Sequence, residues 1–273
     1  MGLRINTNVP ALNAGRILSR SSQALNQSLE RLSSGLRINR AADDAAGLAI
    51  AEGFQSVVRG TQQAQRNAQD GVSLVQTAEG SLSETTNILQ RIRELAVQAA
   101  NGTQSTNNGL AIDGEVAQLL SQIDDIATTT QFNGISVLSS AETITLQSGA
   151  MQSQTLTITL SGAKTTELGV SAVRVSTMAA AVSAISTIDN ALKSVNSLRA
   201  LFGASQNRLE FTIRTLAIQE ENSSASESAI RDADIAKETI AFTRNQILVS
   251  AGTSVLAQAN IIPQTALQLL GGR

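Results

Sequence analysis

The sequence predicts a mainly α protein, a rod-like bundle of long antiparallel helices with a terminal coiled coil and one small β-hairpin. Three observations carry this. A leucine heptad lies near the N-terminus, apolar or small positions alternate spacings of 3 and 4 from Phe54 to Ala99, and the only prolines are Pro10 and Pro263. Nothing between those prolines has to break a helix.

The heptad is Leu18, Leu25, Leu29, Leu32 and Leu36, separated by 7, 4, 3 and 4, which makes one seam of a helix built to lie against another. The matching partner is at the far end, where Ile240, Ile247, Leu248, Ala251, Val255, Ala259 and Ile262 give an equally apolar pattern. The two ends of the chain are therefore expected to pair, residues 1–42 with 231–273, leaving 43–230 as a second domain. The first helix begins near Pro10 and runs to Leu36, weakened inside by Ser33-Ser34-Gly35. Asp43-Asp44 stand where carboxylates favour a helix N-terminus, so a joint is placed near 40–45.

The stripe from Phe54 continues through Val57, Thr61, Ala64, Ala68, Gly71, Val75, Ala78, Leu82, Thr85, Leu89, Ile92, Ala96 and Ala99. A helix over that span is about 69 Å long, longer than the roughly 48 Å diameter of a compact ball of this size. A second, mixed stripe at Leu74, Ser81, Ile88, Arg91, Leu95 and Gln98 reads as a further surface, for subunit packing first. Asn101-Gly102 and Asn107-Asn108-Gly109 mark turns, and 110–128 return to helical spacing until QFNG at 131–134. Ile144, Leu146, Leu156, Ile158 and Leu160 then alternate with polar residues around SGAMQSQ, a β-hairpin within 143–175, with weaker strand character near Val170, Val173 and Val175. Helical spacing resumes near Thr177 through Ile185, Ile188, Leu192, Val195, Phe202, Leu209, Ile213 and Leu216. The stretch 220–234 is either a joint or a solvated helix.

Composition narrows the chemistry. The 273 residues are 42% apolar but only 2% aromatic, with no Trp or Tyr, which suits close helix packing. Cysteine and histidine are both absent, which removes disulfides, the usual zinc ligand sets and triad catalysis that needs imidazole. No cofactor or metal site is expected, and no enzyme activity: Asp43-Asp44 and Asp124-Asp125 read as caps or solvated charge. A net charge of −2 argues against nucleic acid, although the first 42 residues hold six arginines against Glu30. No apolar run is long enough to span a membrane, the N-terminus lacks the apolar core of a cleaved signal, and the C-terminal helix, with Phe242 but few cations, lacks the cationic face of a membrane-surface helix.

Several long motifs resemble bacterial flagellins, in that family's order: LERLSSGLRINRAADDAAGLAIA at 29–51, RNAQDGVSLVQTAEGSL at 66–82, LQRIRELAVQAANGT at 89–103, QFNG at 131–134, LFGASQNRLEFTI at 201–213 and AGTSVLAQAN at 251–260. The resemblance covers both terminal thirds. It departs in the middle, where only the hairpin region stands in place of the large outer domains many members insert, so the zinc protease some members carry there has no room. It implies a structural subunit that polymerises with copies of itself into the extracellular filament used for swimming, exported without a cleaved signal. The alternative is a hook-filament junction protein. Implied partners are the export chaperone, the filament cap, the junction proteins and an innate immune receptor of animals. That receptor reads the pattern LQRIREL, so Arg91, Leu95 and Glu115 are its expected contacts. The expected subunit-interface residues are Leu18, Leu25, Leu29, Leu32, Leu36, Ile247, Leu248, Ala251, Val255 and Ile262.

Overall fold

The computed structural model describes residues 7–271, apart from the side chains of 262, 263 and 266–271. In chain order the elements are α1 (Val9–Ser34), α2 (Ala45–Ala99), α3 (Thr106–Thr129), β1 (Gln131–Phe132), β2 (Ile135–Ser136), β3 (Glu142–Gln147), β4 (Thr155–Leu160), α4 (Met178–Arg231) and α5 (Ile235–Gly271). Every helix starts on a side-chain cap that satisfies an otherwise orphaned amide. Asn8 accepts from the amide of Ala11, Asp44 from Gly47, Ser105 from Asn108, Thr177 from Ala180, and Asp234 from Ala236 and Lys237. The chain divides into two compact units, one made from its two ends and bounded at Ser56 and Asn222, the other spanning Val57–Glu221.

In the end unit α1 and α5 run antiparallel: the partners pass from Asn8 with Ala259, through Leu18 with Gly252, to Arg31 with Glu238. The two joints clasp each other where these helices end. Gly35 accepts from the amide of Ala233 at 2.9 Å, the amide of Arg37 donates to the Arg231 carbonyl at 2.6 Å, and the Arg37 guanidinium donates to the carbonyls of Ala229 and Ile230. Those carbonyls close α4 and have no helical partner, so a cation there serves both the hydrogen bonds and the helix dipole. The first helix stops earlier than the heptad suggests. Gly35 has φ 72° and its amide donates to Arg31, a left-handed C-cap, so Gly35 is the stop rather than a weak point inside the helix, and Leu36 lies beyond it, bridged to Asp232.

In the second unit the stripe read from Phe54 onward is buried at every position from Thr61 to Ala99. It meets Ile188, Val195, Phe202, Leu209 and Leu216 of α4, a repeat of 7 whose members are all buried. Polar partners flank this seam: Arg93 with Asp189 at 2.7 Å, Glu79 with Arg199 at 3.6 Å, and Gln62 and Gln65 with Glu220 at 2.7 and 3.0 Å, an antiparallel order. Helix α3 folds back along α2, with Thr130 donating to Ser81 and Glu115 bonded to Arg91, and adds Ile112, Val116, Leu120 and Ile123 to the core. Asn107-Asn108-Gly109 belong to the first turn of α3 rather than to a loop, because Ser105 caps it.

The hairpin pairs Ile144 with Ile158 and Leu146 with Leu156, and its loop holds SGAMQSQ. It is seated on α2 where glycines leave room: a Cβ on Gly60 would lie 2.8 Å from that of Ala150, and Asn67 donates to the Gln147 carbonyl. Val170, Val173 and Val175 are buried, but in irregular backbone rather than a strand. Asp124 and Asp113 accept the amides of Thr165 and Val175, giving this segment side-chain partners in place of a ladder. QFNG is more than a helix stop: Asn133 and Gly134, at φ 49° and 80°, turn a two-residue hairpin between β1 and β2.

Candidate functional site

The helix pair of the end unit separates its apolar residues in a way the heptad did not suggest. On α1 the less exposed positions are Ala11, Ala14, Leu18, Ser21, Leu25, Ser28 and Leu32; on α5 they are Glu238, Phe242, Asn245, Val249, Gly252, Leu256 and Ala259. Both runs alternate 3 and 4, so these are the facing seams. They are mostly small or polar. Ser21 and Ser28 are buried, and Gly252 lies so close to Leu18 that a Cβ there would sit 3.2 Å from Leu18 Cδ1.

A second set of large aliphatics of α5 points elsewhere. Ile240 and Ile247 lie on roughly the opposite side of the helix from this seam, with Leu248 and Val255 on its flank, and Ile247 is 63% exposed and Val255 58%. Ile240, Ile247 and Leu248, with Thr239, Thr243 and Arg244, line a groove of about 400 Å³. On α1, Val9, Leu12, Ile17 and Leu29 are exposed as well, Leu29 at 54%.

The residues expected to form one seam are thus divided. Leu18, Leu25 and Leu32 are half-buried between α1 and α5, and Leu36 is half-buried beyond the helix stop. Leu29, Ile247, Leu248, Ala251 and Val255 face outward, and the side chain of Ile262 lies outside the described residues. The physical reason is backbone approach. Gly252 and the serines let the two helices come close, whereas the β-branched stripe of α5 is too bulky for that contact. Phe242, Val249 and Leu256 were the missed positions, and their repeat of 7, running on to Ala259, was the available signal.

The second stripe of α2 is largely covered from within the chain. Leu95 is 2% exposed and belongs to the core, which corrects its reading as a surface residue beside Arg91. Arg91 itself is exposed and donates to Glu115 at 3.0 Å and to Glu94 at 3.2 Å. The hydrogen bond to Glu115, then that to Glu94, raises the guanidinium's pKa above its ordinary value, so its charge is fixed. Glu115 arrives from α3, so α3 is what presents this cluster. Among the described residues no group of His, Cys, Asp or Glu is arranged to hold a metal, and no helix is long and apolar enough to cross a membrane.

Two family models match the chain, the bacterial flagellin N-terminal helical region over residues 5–143 and the C-terminal helical region over 185–270. The chain belongs to the bacterial flagellin family. A flagellin from Halalkalibacterium halodurans is 47% identical over 97% of this chain and 99% of its own length. The flagellar filament 31.3 kDa core protein of Treponema maltophilum is 44% identical over the same shares. A solved structure described as a putative flagellar hook-associated protein from Vibrio parahaemolyticus superposes with a TM-score of 0.59 at 11% identity, covering 70% of this chain and all of that one, a likeness of fold alone. Between the two matched regions lie only most of the hairpin, the irregular segment and the start of α4, so this is a short member without large outer domains. As a flagellin it is a structural subunit of the flagellar filament, the polymer that drives swimming.

Proposed function

We propose that assembly is driven by the outward apolar stripe of α5, with residues 1–42 and 231–273 as the assembling segments and 43–230 as the body of the subunit. The observation that supports this is the inversion just described: Ile240, Ile247, Leu248 and Val255 are exposed while the seam between α1 and α5 is small and polar. A contiguous stripe of this kind is costly in water and calls for a partner. The exposed Val9, Leu12, Ile17 and Leu29 of α1 on the next copy supply one. Such a contact joins different patches of successive copies, so it propagates instead of closing. Burying each large aliphatic is worth about 1.5–3 kcal/mol, and several together offset the entropy of ordering the end segments.

The role needs positions and apolar area, not catalysis. By resemblance the chain leaves the cell through the flagellar export channel to an extracellular filament, meeting an export chaperone, the filament cap and the hook-junction proteins. A chain with no cysteine is easily threaded unfolded. For an animal innate immune receptor the exposed contacts are Arg91 and Glu115, while Leu95 acts from the core by holding α2 in place.

The test is seeded growth followed by light scattering. Ile247→Ser should weaken subunit addition roughly tenfold to more than a hundredfold, the loss of one buried aliphatic, while the thermal transition of the monomer's second unit stays where it was. Undiminished growth of the variant on wild-type seeds would overturn the reading.

A further inference from the structure

The chain carries the dipeptide Asn-Gly three times, at Asn101-Gly102, Asn108-Gly109 and Asn133-Gly134. Glycine after asparagine leaves the backbone nitrogen unhindered, since there is no Cβ to block its approach to the side-chain amide. That nitrogen can attack Cγ of the asparagine. The new N–Cγ bond forms as Cγ–Nδ2 breaks, the glycine amide proton passes through solvent to the departing nitrogen, and ammonia leaves. The five-membered imide then takes up one water and opens at either carbonyl, to aspartate or isoaspartate. Nothing is oxidised or reduced, and the only co-reactant is solvent water.

The fold treats the three sites differently. At Asn108 the nucleophile is occupied: the Gly109 amide donates to the Ser105 carbonyl at 3.0 Å within the first turn of α3, and Gly109 is buried, with the Ser176 carbonyl 2.9 Å from where a Cβ would stand. At Asn133 the backbone is committed to the left-handed region, φ 49° followed by φ 80° at Gly134, by the turn that pairs Phe132 with Ile135. Swinging the Gly134 nitrogen onto Cγ means undoing that turn.

Asn101 has neither restraint. It follows the end of α2 and precedes α3, and both it and Gly102 are exposed to water. The Gly102 amide makes no hydrogen bond among the described residues, and its surroundings are open within 4 Å. The amide of Thr103 donates to Asn101 Oδ1 at 3.4 Å. That oxygen is where negative charge gathers as the nitrogen adds to Cγ, so a donor already aimed at it favours the reaction.

We propose that Asn101 is a spontaneous deamidation site of the folded protein, converting ahead of Asn133 and Asn108. The product places a new carboxylate at the C-terminal end of α2, where the helix dipole disfavours negative charge. It gives each subunit a charge that records its age.

The experiment is peptide mass mapping of the full-length protein incubated at neutral pH, folded and in urea, following the gain of about 1 Da at each asparagine. In the folded protein Asn101 should convert at least about tenfold faster than Asn108, a barrier difference of one decade in rate. In urea the three rates should converge. Gly102→Ala adds a Cβ that meets nothing within 4 Å, so the melting curve should hold while conversion at Asn101 slows roughly tenfold. Conversion of Asn108 or Asn133 as fast as Asn101 in the folded protein would overturn the proposal, as would an unchanged rate in Gly102→Ala.

Discussion

The two units use the same helical grammar with opposite placement of bulk. In the second unit the large side chains are inside: Leu82, Leu89, Ile92, Phe202 and Leu209 are essentially inaccessible, and three helices and a hairpin close over them. In the end unit the seam between α1 and α5 holds Ala, Ser, Gly and scattered leucines, while Ile240, Ile247, Leu248 and Val255 remain in water. One unit completes its own core. The other leaves a set of large apolar residues on a side its own partner helix does not cover. A polymer subunit needs this division, a body that is stable before assembly and ends whose stability arrives with the next copy.

The largest effect tests the self-sufficient side of that contrast. Leu89→Ala removes a fully buried side chain from the seam of α2, so it should cost about 2–5 kcal/mol in denaturant unfolding of the monomer, with assembly weakened only as a consequence. Gly60→Ala comes next. An alanine in a helix interior ordinarily stabilises by about 0.5–1 kcal/mol over glycine, but here its Cβ would stand 2.8 Å from Ala150 Cβ and 3.1 Å from Ala150 Cα. The second contact is backbone, so the hairpin loop must move off α2, and a net loss of about 1–3 kcal/mol is expected. A stabilised Gly60→Ala in the same unfolding assay would show that the hairpin is not seated as described.

The second unit was the more legible of the two for the same physical reason. Where a helix buries one stripe against its own chain, period alone reveals the stripe, and every position read from Thr61 to Ala99 is buried. The hairpin register followed from alternation around SGAMQSQ. In the end unit period was ambiguous, because α5 carries two stripes at helical spacing. Hydrophobicity favoured Ile240, Ile247 and Val255, but close approach selected Phe242, Val249, Gly252 and Ala259. Apolarity marks what will be buried at some stage, without saying by which molecule. Leu95 failed in the reverse direction: beside Arg91 and Gln98 it looked like surface, and only α3 folding back over α2 puts it in the core. Gly35 and Asn133-Gly134 were readable as a C-cap and a two-residue hairpin turn, but both signals are short and were outweighed by the long helical patterns around them.

Val255→Ala sharpens the comparison from the other side. The residue is 58% exposed in the subunit, so its truncation should leave monomer unfolding within about 0.5 kcal/mol of the parent. Filament growth should nonetheless weaken, by the loss of about two methylene equivalents, roughly 1.5 kcal/mol per interface. Equal losses in the two assays would mean that the α5 stripe already has a partner in the monomer.

The smallest effect is a pH dependence confined to the end unit. Asp43 accepts the amides of Arg40 and Asn39, and Asp234 accepts those of Lys237 and Ala236. In each case the backbone hydrogen bonds come first among the causes that hold the carboxyl below its ordinary value of 3.8, with the Lys237 ammonium assisting at Asp234. A carboxyl held low in the folded state binds fewer protons than the unfolded chain, so its contribution is fully present above that ordinary value and is lost as pH falls through the lower, folded one. The protection of amides at 39–47 and 234–240, their exchange measured against that of the unfolded chain at the same pH, should therefore fall as the solution is acidified below 3.8. Asn keeps an acceptor oxygen at Asp43's place in the joint and is as good a cap as Asp at 234, but carries no proton to gain. Replacing both residues by Asn should keep the joints formed at neutral pH and flatten their acid response. An acid response undiminished in that double variant would place the titrating groups elsewhere and detach the pH dependence from the two joints.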